Sequence, residues 1–130
     1  MSSAVPKQTA HAIAFRSQGV GTLGVELECQ IIDPRSLELA PGALRVLETC
    51  QAAGLEGVSE EFLLSMIEVK TGVCRNVSEV REQLGGILRS VVDAAKVAGY
   101  HLSVGGTHPH ARPSMSAVYP DERYARICDK

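Results

Sequence analysis

A chain of 130 residues, 45% apolar and 22% charged, has the length and composition of one folded domain with its own core, which excludes disorder as a description of the whole. Thirteen basic against fifteen acidic residues leave a formal net charge of −2, so a nucleic-acid binder working through bulk positive charge is excluded too. No apolar run approaches the roughly 18 residues of a membrane-spanning helix, and the early island AHAIAF is too weak for a secretory signal.

Cys29, Cys50, Cys74 and Cys128 lie far apart with no C-x-x-C pair, which is not a zinc-ribbon spacing. Reduced thiols in a cytoplasmic protein are the plain expectation.

Residues 1–20 are small and polar without a sustained period, and a flexible lead-in is expected there. Thr22–Ile32, TLGVELECQII, alternates strictly enough to predict a strand, with Glu26, Glu28 and Gln30 on one face and Val25, Leu27, Cys29 and Ile31 on the other. Asp33-Pro34-Arg35-Ser36 is turn chemistry, and Ser36–Ala40 reads as a short return strand. Pro41-Gly42 then opens a predicted helix, with Leu44, Val46 and Leu47 as apolar positions, ending near Gly54.

Glu61–Thr71, EFLLSMIEVKT, predicts a second strand in which Met66, Glu68 and Lys70 share one face and Ile67, Val69 and Thr71 the other. Asn76 can cap a helix, with Glu79 reaching back. Val80, Leu84, Ile87, Leu88, Val91 and Ala95 follow helical spacing up to a stop at Gly99. Within that helix, Gly85-Gly86 costs roughly 1 kcal/mol per glycine relative to alanine, and close packing against a sheet is one reason to keep it. Tyr100–Val104 alternates as a third strand, GGTHPH follows as a loop, and a last helix begins after Pro120, capped from Asp121. Strands and helices in this order, with turn-rich connections, predict a mixed α/β or α+β fold.

The acids pose the functional question. Alternate residues on a strand lie about 6.6 Å apart. At that distance two carboxylates repel by about 0.6 kcal/mol in water and about 2.5 kcal/mol at an effective dielectric of 20. On a solvated sheet face this is minor and Glu26-x-Glu28 needs no special cause; on a covered face it needs a basic side chain or a cation. Glu68 can bring a third carboxylate to the same sheet face, and Glu61 a fourth if the chain bends between them. Three or four converging carboxylates are an oxygen-rich site for a hard cation such as Mg²⁺.

TLGVELECQIIDP, EFLLSMIEVKTGVCRN, VGGTHPH and ERYAR, in this order and spacing, resemble the carboxylate–amine ligases of the glutamate–cysteine ligase type, from about Thr22 to Arg126. The resemblance implies a glutamine-synthetase-like fold, with a curved, largely antiparallel sheet and helices on one face. It also implies Mg²⁺ and ATP: a substrate carboxylate is phosphorylated and an amine then displaces phosphate to form an amide. Carried over by motif position, Glu26, Glu28, Glu61 and Glu68 are the expected metal ligands, with Thr71 and Arg123 as weaker substrate or nucleotide contacts. Relatives read T-H-P-F followed by Trp where this chain has Thr107-His108-Pro109-His110 and no tryptophan, which places the local loop packing in question more than the metal chemistry. The family's members run well over twice this length, so residues 21–130 are expected to be the N-terminal portion of such a catalytic domain.

Partners implied are ATP, an amino-acid carboxylate and an amine, with a homodimer left open and neither nucleic acid nor membrane expected. The competing expectation is a truncated, non-catalytic homologue acting as a folding or self-association module. Lys70 is expected to pair with Glu68. Cys29 and Cys74 are expected as buried small hydrophobes, and His108-x-His110 as a structural or exposed pair rather than a metal pair.

Overall fold

The computed structural model describes residues 19, 21–112 and 116–128, so the expected lead-in lies outside the described residues except for Gly19. Along the chain run β1 (Glu26–Ile32), α1 (Ala43–Ala52), β2 (Val58–Glu60), β3 (Met66–Lys70), α2 (Val77–Val97), β4 (His101–Val104) and α3 (Glu122–Cys128). The strands form one sheet in the order β2-β3-β1-β4, antiparallel at every pairing. This is the α+β class read from the sequence.

Alternation decides which face is buried. Cys29, Ile31, Ile67 and Val69 all have 0% exposure, and the register sets Cys29 opposite Ile67 and Leu27 opposite Val69. Ala43, Val46 and Cys50 of α1, with Val91, Ala94 and Ala95 of α2, complete the same core. Burying each Ile or Val is worth about 1.5–3 kcal/mol. The polar residues of β1 and β3 are thereby fixed on the opposite face, away from α1 and α2.

Local chemistry sets the helix ends. Asn76 Oδ1 accepts from Glu79 N–H at 2.9 Å, while the Glu79 carboxylate accepts from Arg75 N–H at 2.8 Å. At the other end Gly99, at φ +88, lets Tyr100 N–H reach Ala95 O at 2.9 Å and Gly99 N–H reach Lys96 O at 3.0 Å, a Schellman closure. Gly54 (φ +67) closes α1 in the same way, through Leu55 N–H to Cys50 O and its own N–H to Gln51 O. Asp121 Oδ1 accepts from Arg123 N–H at 2.7 Å, capping α3 as expected.

Four expectations are corrected. The return strand over Ser36–Ala40 shrinks to one bridge, Ile32 with Leu39, because Asp33 Oδ1 takes the N–H groups of Arg35 and Ser36 and curls the chain. The buried face of α1 uses Ala43 and Cys50 beside Val46, leaving Leu44 44% exposed. Glu61–Thr71 is not one strand: β3 begins only at Met66, and the separate β2 precedes Glu61. The cause is non-local, since Leu64 N–H bonds Ala117 O and Tyr119 N–H bonds Phe62 O, drawing residues 62–64 out of the sheet. Finally, Gly85-Gly86 makes no close approach to the sheet: a Cβ on Gly86 would meet nothing within 4 Å, and one on Gly85 only Arg89 Nη1 at 3.5 Å.

Candidate functional site

The face away from α1 and α2 gathers the acids. Register sets Glu28 directly opposite Glu68, and Glu26 opposite Lys70. Thr71 N–H bonds Val25 O, and Ile31 N–H bonds Ser65 O. Both pairs are in phase with the odd-numbered residues of β1, so Glu26 and Glu28 occupy non-hydrogen-bonded positions. Side chains stand closest at such positions, with Cβ atoms about 4.5–5.5 Å apart. Two carboxylates about 5 Å apart would repel by about 0.8 kcal/mol in water, rising to about 3 kcal/mol at an effective dielectric of 20.

Lys70 offsets part of it. Its ammonium donates to Glu68 Oε1 at 3.1 Å and to Ser59 Oγ at 3.0 Å, and Ser59 Oγ donates to the same Glu68 oxygen at 3.2 Å. The Glu68 hydrogen bond first, and its charge second, hold the Lys70 ammonium above its usual range. The expected Lys70–Glu68 pair is present. Glu28, by contrast, faces a carboxylate across the strand.

Glu61 is placed differently from its expected strand position. It follows β2, its Oε1 accepts from Phe62 N–H at 2.8 Å, and it reaches the acid face from the side. Two clefts result, with Glu68 on the boundary. One, about 440 Å³, is lined by Glu26, Glu28, Glu68 and the Val104–Gly106 turn. The other, about 380 Å³, is lined by Ser59, Glu60, Glu61, Glu68, Lys70 and Arg123 among others. The larger cavity of about 780 Å³ lies toward α2, around Leu55, Ile87 and Ser90; it holds none of the four acids, and donor chemistry outweighs volume in locating the site.

Among the described residues no group of three or more His, Cys, Asp and Glu side chains is placed to hold a metal ion, so Glu26, Glu28, Glu61 and Glu68 do not converge on one ion as expected. Mg²⁺, however, keeps much of its water and commonly takes only one or two protein carboxylates beside substrate phosphates. A pair of opposed, hard oxygen donors such as Glu28 and Glu68 is the number of protein ligands that mode requires. Glu28 and Glu68 are the opposed pair, Glu26 lies along the same face, and Glu61 lines the adjoining cleft.

The weaker candidates divide. Thr71 Oγ1 accepts from Val25 N–H at 3.1 Å, so its hydroxyl pins the start of β1 to the end of β3. Arg123 lies in the second cleft, 3.6 Å from Glu60 and over the Tyr124 ring at 4.4 Å, and half-stacked guanidinium groups of this kind bind carboxylates and phosphates well. His108 Nε2 bonds Leu37 O at 3.0 Å while its Nδ1 accepts from His110 N–H at 3.3 Å, a structural pair as expected. Cys29 and Cys74 are buried, as expected, and Cys50 with them; burial pushes the Cys29 and Cys50 thiols up.

Sequence reasoning does not anticipate Ser59, which sits in a three-residue strand with no alternation to find. Nor does it foresee the bond from Gln30 to the Gly105 carbonyl; the signal there is Gln30's place on the Glu26–Glu28 face.

Comparison with known proteins agrees with the family resemblance. A relative from Rhodopirellula baltica named "Putative glutamate--cysteine ligase 2" is 34% identical over 116 residues, covering 85% of this chain and 31% of its own length. Proteins of the same name from Cronobacter sakazakii and Gloeobacter violaceus are each 33% identical, over 83% and 91% of this chain and 29% and 32% of their own lengths. The chain thus spans about a third of the length of the curated relatives it matches. The model of the glutamate-cysteine ligase family 2 matches residues 22–130, and the chain belongs to that family.

Proposed function

We propose that this chain supplies one wall of the active site of an ATP-dependent carboxylate–amine ligase, within a larger glutamine-synthetase-like sheet. The observation that carries the reading is the register of β1 and β3, which sets Glu28 against Glu68 at the closest cross-strand spacing with Glu26 alongside. Glu26, Glu28 and Glu68 would hold Mg²⁺ with ATP, and Glu61 would serve from the adjoining cleft. Bound there, the cation offsets negative charge as it develops during phosphoryl transfer. Lys70 balances Glu68 when no cation is present, so the face folds without one.

The proposed reaction is the one that the resemblance implies. ATP phosphorylates a carboxylate, as in the γ-carboxyl of glutamate, and an amine, as in cysteine, displaces phosphate from the acyl phosphate to leave an amide. Arg123 and the surroundings of Thr71 are the places where this chain would meet substrate or nucleotide. Calorimetric titration of residues 1–130 with ATP, in the presence and absence of Mg²⁺, tests the reading. Mg²⁺-dependent binding that is lost in a Glu26→Ala/Glu28→Ala double variant supports it; binding undiminished in that variant rejects the assigned roles.

A second reading, a self-associating module without chemistry, draws on one feature. Among the described residues β4 has a strand neighbour on one side only, and Val104 at its end is 58% exposed; free strand edges recruit other strands. Concentration-dependent dimerisation without nucleotide binding favours it, and a monomer that binds Mg²⁺·ATP removes it.

A further inference from the structure

The cavity of about 780 Å³ beside α2 has no part in the acid face. It is a groove with two walls: the turn from α1 into β2, with Leu55, Glu56 and Gly57, and the face of α2 that carries Gln83, Gly86 and Ile87. Gly86 is not explained by the fold. It sits inside a 21-residue helix, where glycine costs stability relative to alanine, and a Cβ there would meet nothing within 4 Å. Gly57 across the groove is accounted for by its φ of +75 and by the closeness of Lys70 O; Gly86 has neither reason. A glycine that neither backbone conformation nor internal packing requires suits a wall against which another segment lies close.

The N-terminal segment of the same chain enters the fold beside this groove. Leu23 N–H bonds Cys74 O at 2.7 Å, and Cys74 N–H bonds Leu23 O at 2.8 Å. Gly72, which lines the groove, donates its N–H to Gln83 Oε1 at 3.2 Å. At strand spacings Leu23 and Gly72 lie within about 10 Å of each other. From Gly21 back to Phe15 the chain spans up to about 20 Å, which brings the island AHAIAF, residues 10–15, within reach. Its chemistry matches the groove. Ile13 and Phe15 are large apolar side chains in an alanine-rich run, and Leu55 and Ile87 offer half-buried apolar surface. Arg16 follows Phe15, and Glu56 on the groove wall is exposed with no ion pair among the described residues.

We propose that residues 10–16 of this chain dock in the groove, with the Phe15 ring against Gly86, Leu55 and Ile87 and the Arg16 guanidinium toward Glu56. The proposal is independent of the acid-face reading. A buried phenyl ring removes about 150–250 Å² from water, and the tether makes the docking intramolecular, so it needs no partner at high concentration. Docked there, the segment fastens the entry to β1, the strand that carries Glu26 and Glu28, onto α2.

The test compares the full chain as wild type, Phe15→Ser, Gly86→Leu and the double variant, by thermal melts and by methyl and amide NMR spectra. Phe15→Ser is expected to lower the melting temperature by about 3 °C or more, to move the methyl signals of Leu55 and Ile87, and to quicken amide exchange from Gln83 to Ser90. In the Gly86→Leu background, where the leucine takes the ring's place, Phe15→Ser should cost no more than about 1 °C. Phe15→Ser decides the matter even if Gly86→Leu folds poorly. A melting temperature within about 1 °C of wild type, or unmoved signals from Leu55 and Ile87, overturns the proposal. Equal losses with and without Gly86→Leu reject Gly86 as the seat of the ring. The same comparison on dilution separates the chain's own segment from that of a second copy: a difference that persists supports docking within one chain, and one that vanishes assigns the groove to a second copy and overturns it.

Discussion

Replacing Glu28 by glutamine separates a structural from a cation-binding purpose for the acid face. The change is isosteric and removes one of two carboxylates that face each other across β1 and β3. At a separation of about 5 Å their repulsion would lie between about 0.8 and 3 kcal/mol, depending on the effective dielectric. Glu28 is exposed and Lys70 already compensates Glu68, so the low end applies. Salt screens little of it, since the pair is closer than the Debye length of about 10 Å at 0.1 M. Glu28→Gln should therefore raise stability by roughly 0.5 kcal/mol without divalent cations, or about 2 °C in melting temperature for a domain of this size. Saturating Mg²⁺ should reverse the order. If the wild-type site has a Kd of about 1 mM, 10 mM Mg²⁺ stabilises it by RT ln 11, about 1.4 kcal/mol, and the variant gains much less. Thermal melts at matched ionic strength, with and without Mg²⁺, read both arms. A variant that is less stable than wild type in the absence of Mg²⁺, or two proteins shifted equally by it, would refute the reasoning.

Three further outcomes follow from local structure. Asn76→Ala removes the acceptor for Glu79 N–H and should cost about 1 kcal/mol, measurable by urea unfolding; no loss would show the cap to be replaceable by water. Gly57→Ala places a Cβ 2.6 Å from Lys70 O at a φ of +75 and should cost at least about 2 kcal/mol, whereas unchanged stability would contradict the tight turn between α1 and β2. Asp33 and Glu79 are held below their usual values of 3.8 and 4.5, chiefly by the N–H groups of Ser36 and of Arg75 respectively. Depressed carboxyls stabilise the fold above their unfolded values, and that contribution fades as pH falls through the lower folded ones. The stability gap between wild type and Asp33→Asn or Glu79→Gln should be full at pH 6 and narrow below about pH 4; a gap that widens on acidification has the wrong sign.

Much of this arrangement is legible in the chain because period-two alternation is local information. Val25 to Ile31 and Met66 to Lys70 declare their buried and polar faces by residue type alone, and their pairing then has to bring Glu28 and Glu68 to one side. Asn76 with Glu79, Asp33 with its turn, and the stop at Gly99 are likewise written within a few residues. What is not legible depends on partners distant in sequence. Glu61 leaves the strand because residues 117–119 bond to 62–64, and β2 is three residues long with no alternation to read. The face of α1 eludes a reading by apolar size because Ala43 and Cys50 fill the tight space beside the sheet while the larger Leu44 turns outward. Gln30 reads as one more polar strand residue until the loop after β4 is laid against it.

The most direct measurement substitutes Mn²⁺ for Mg²⁺ and follows paramagnetic broadening of backbone amides in the presence of ATP. Cation binding at the acid face predicts that signals from Glu26 to Gln30 and from Met66 to Lys70 broaden first, with Gly105 and Gly106 close behind. Broadening centred elsewhere in the chain, or none at saturating Mn²⁺·ATP, would contradict it.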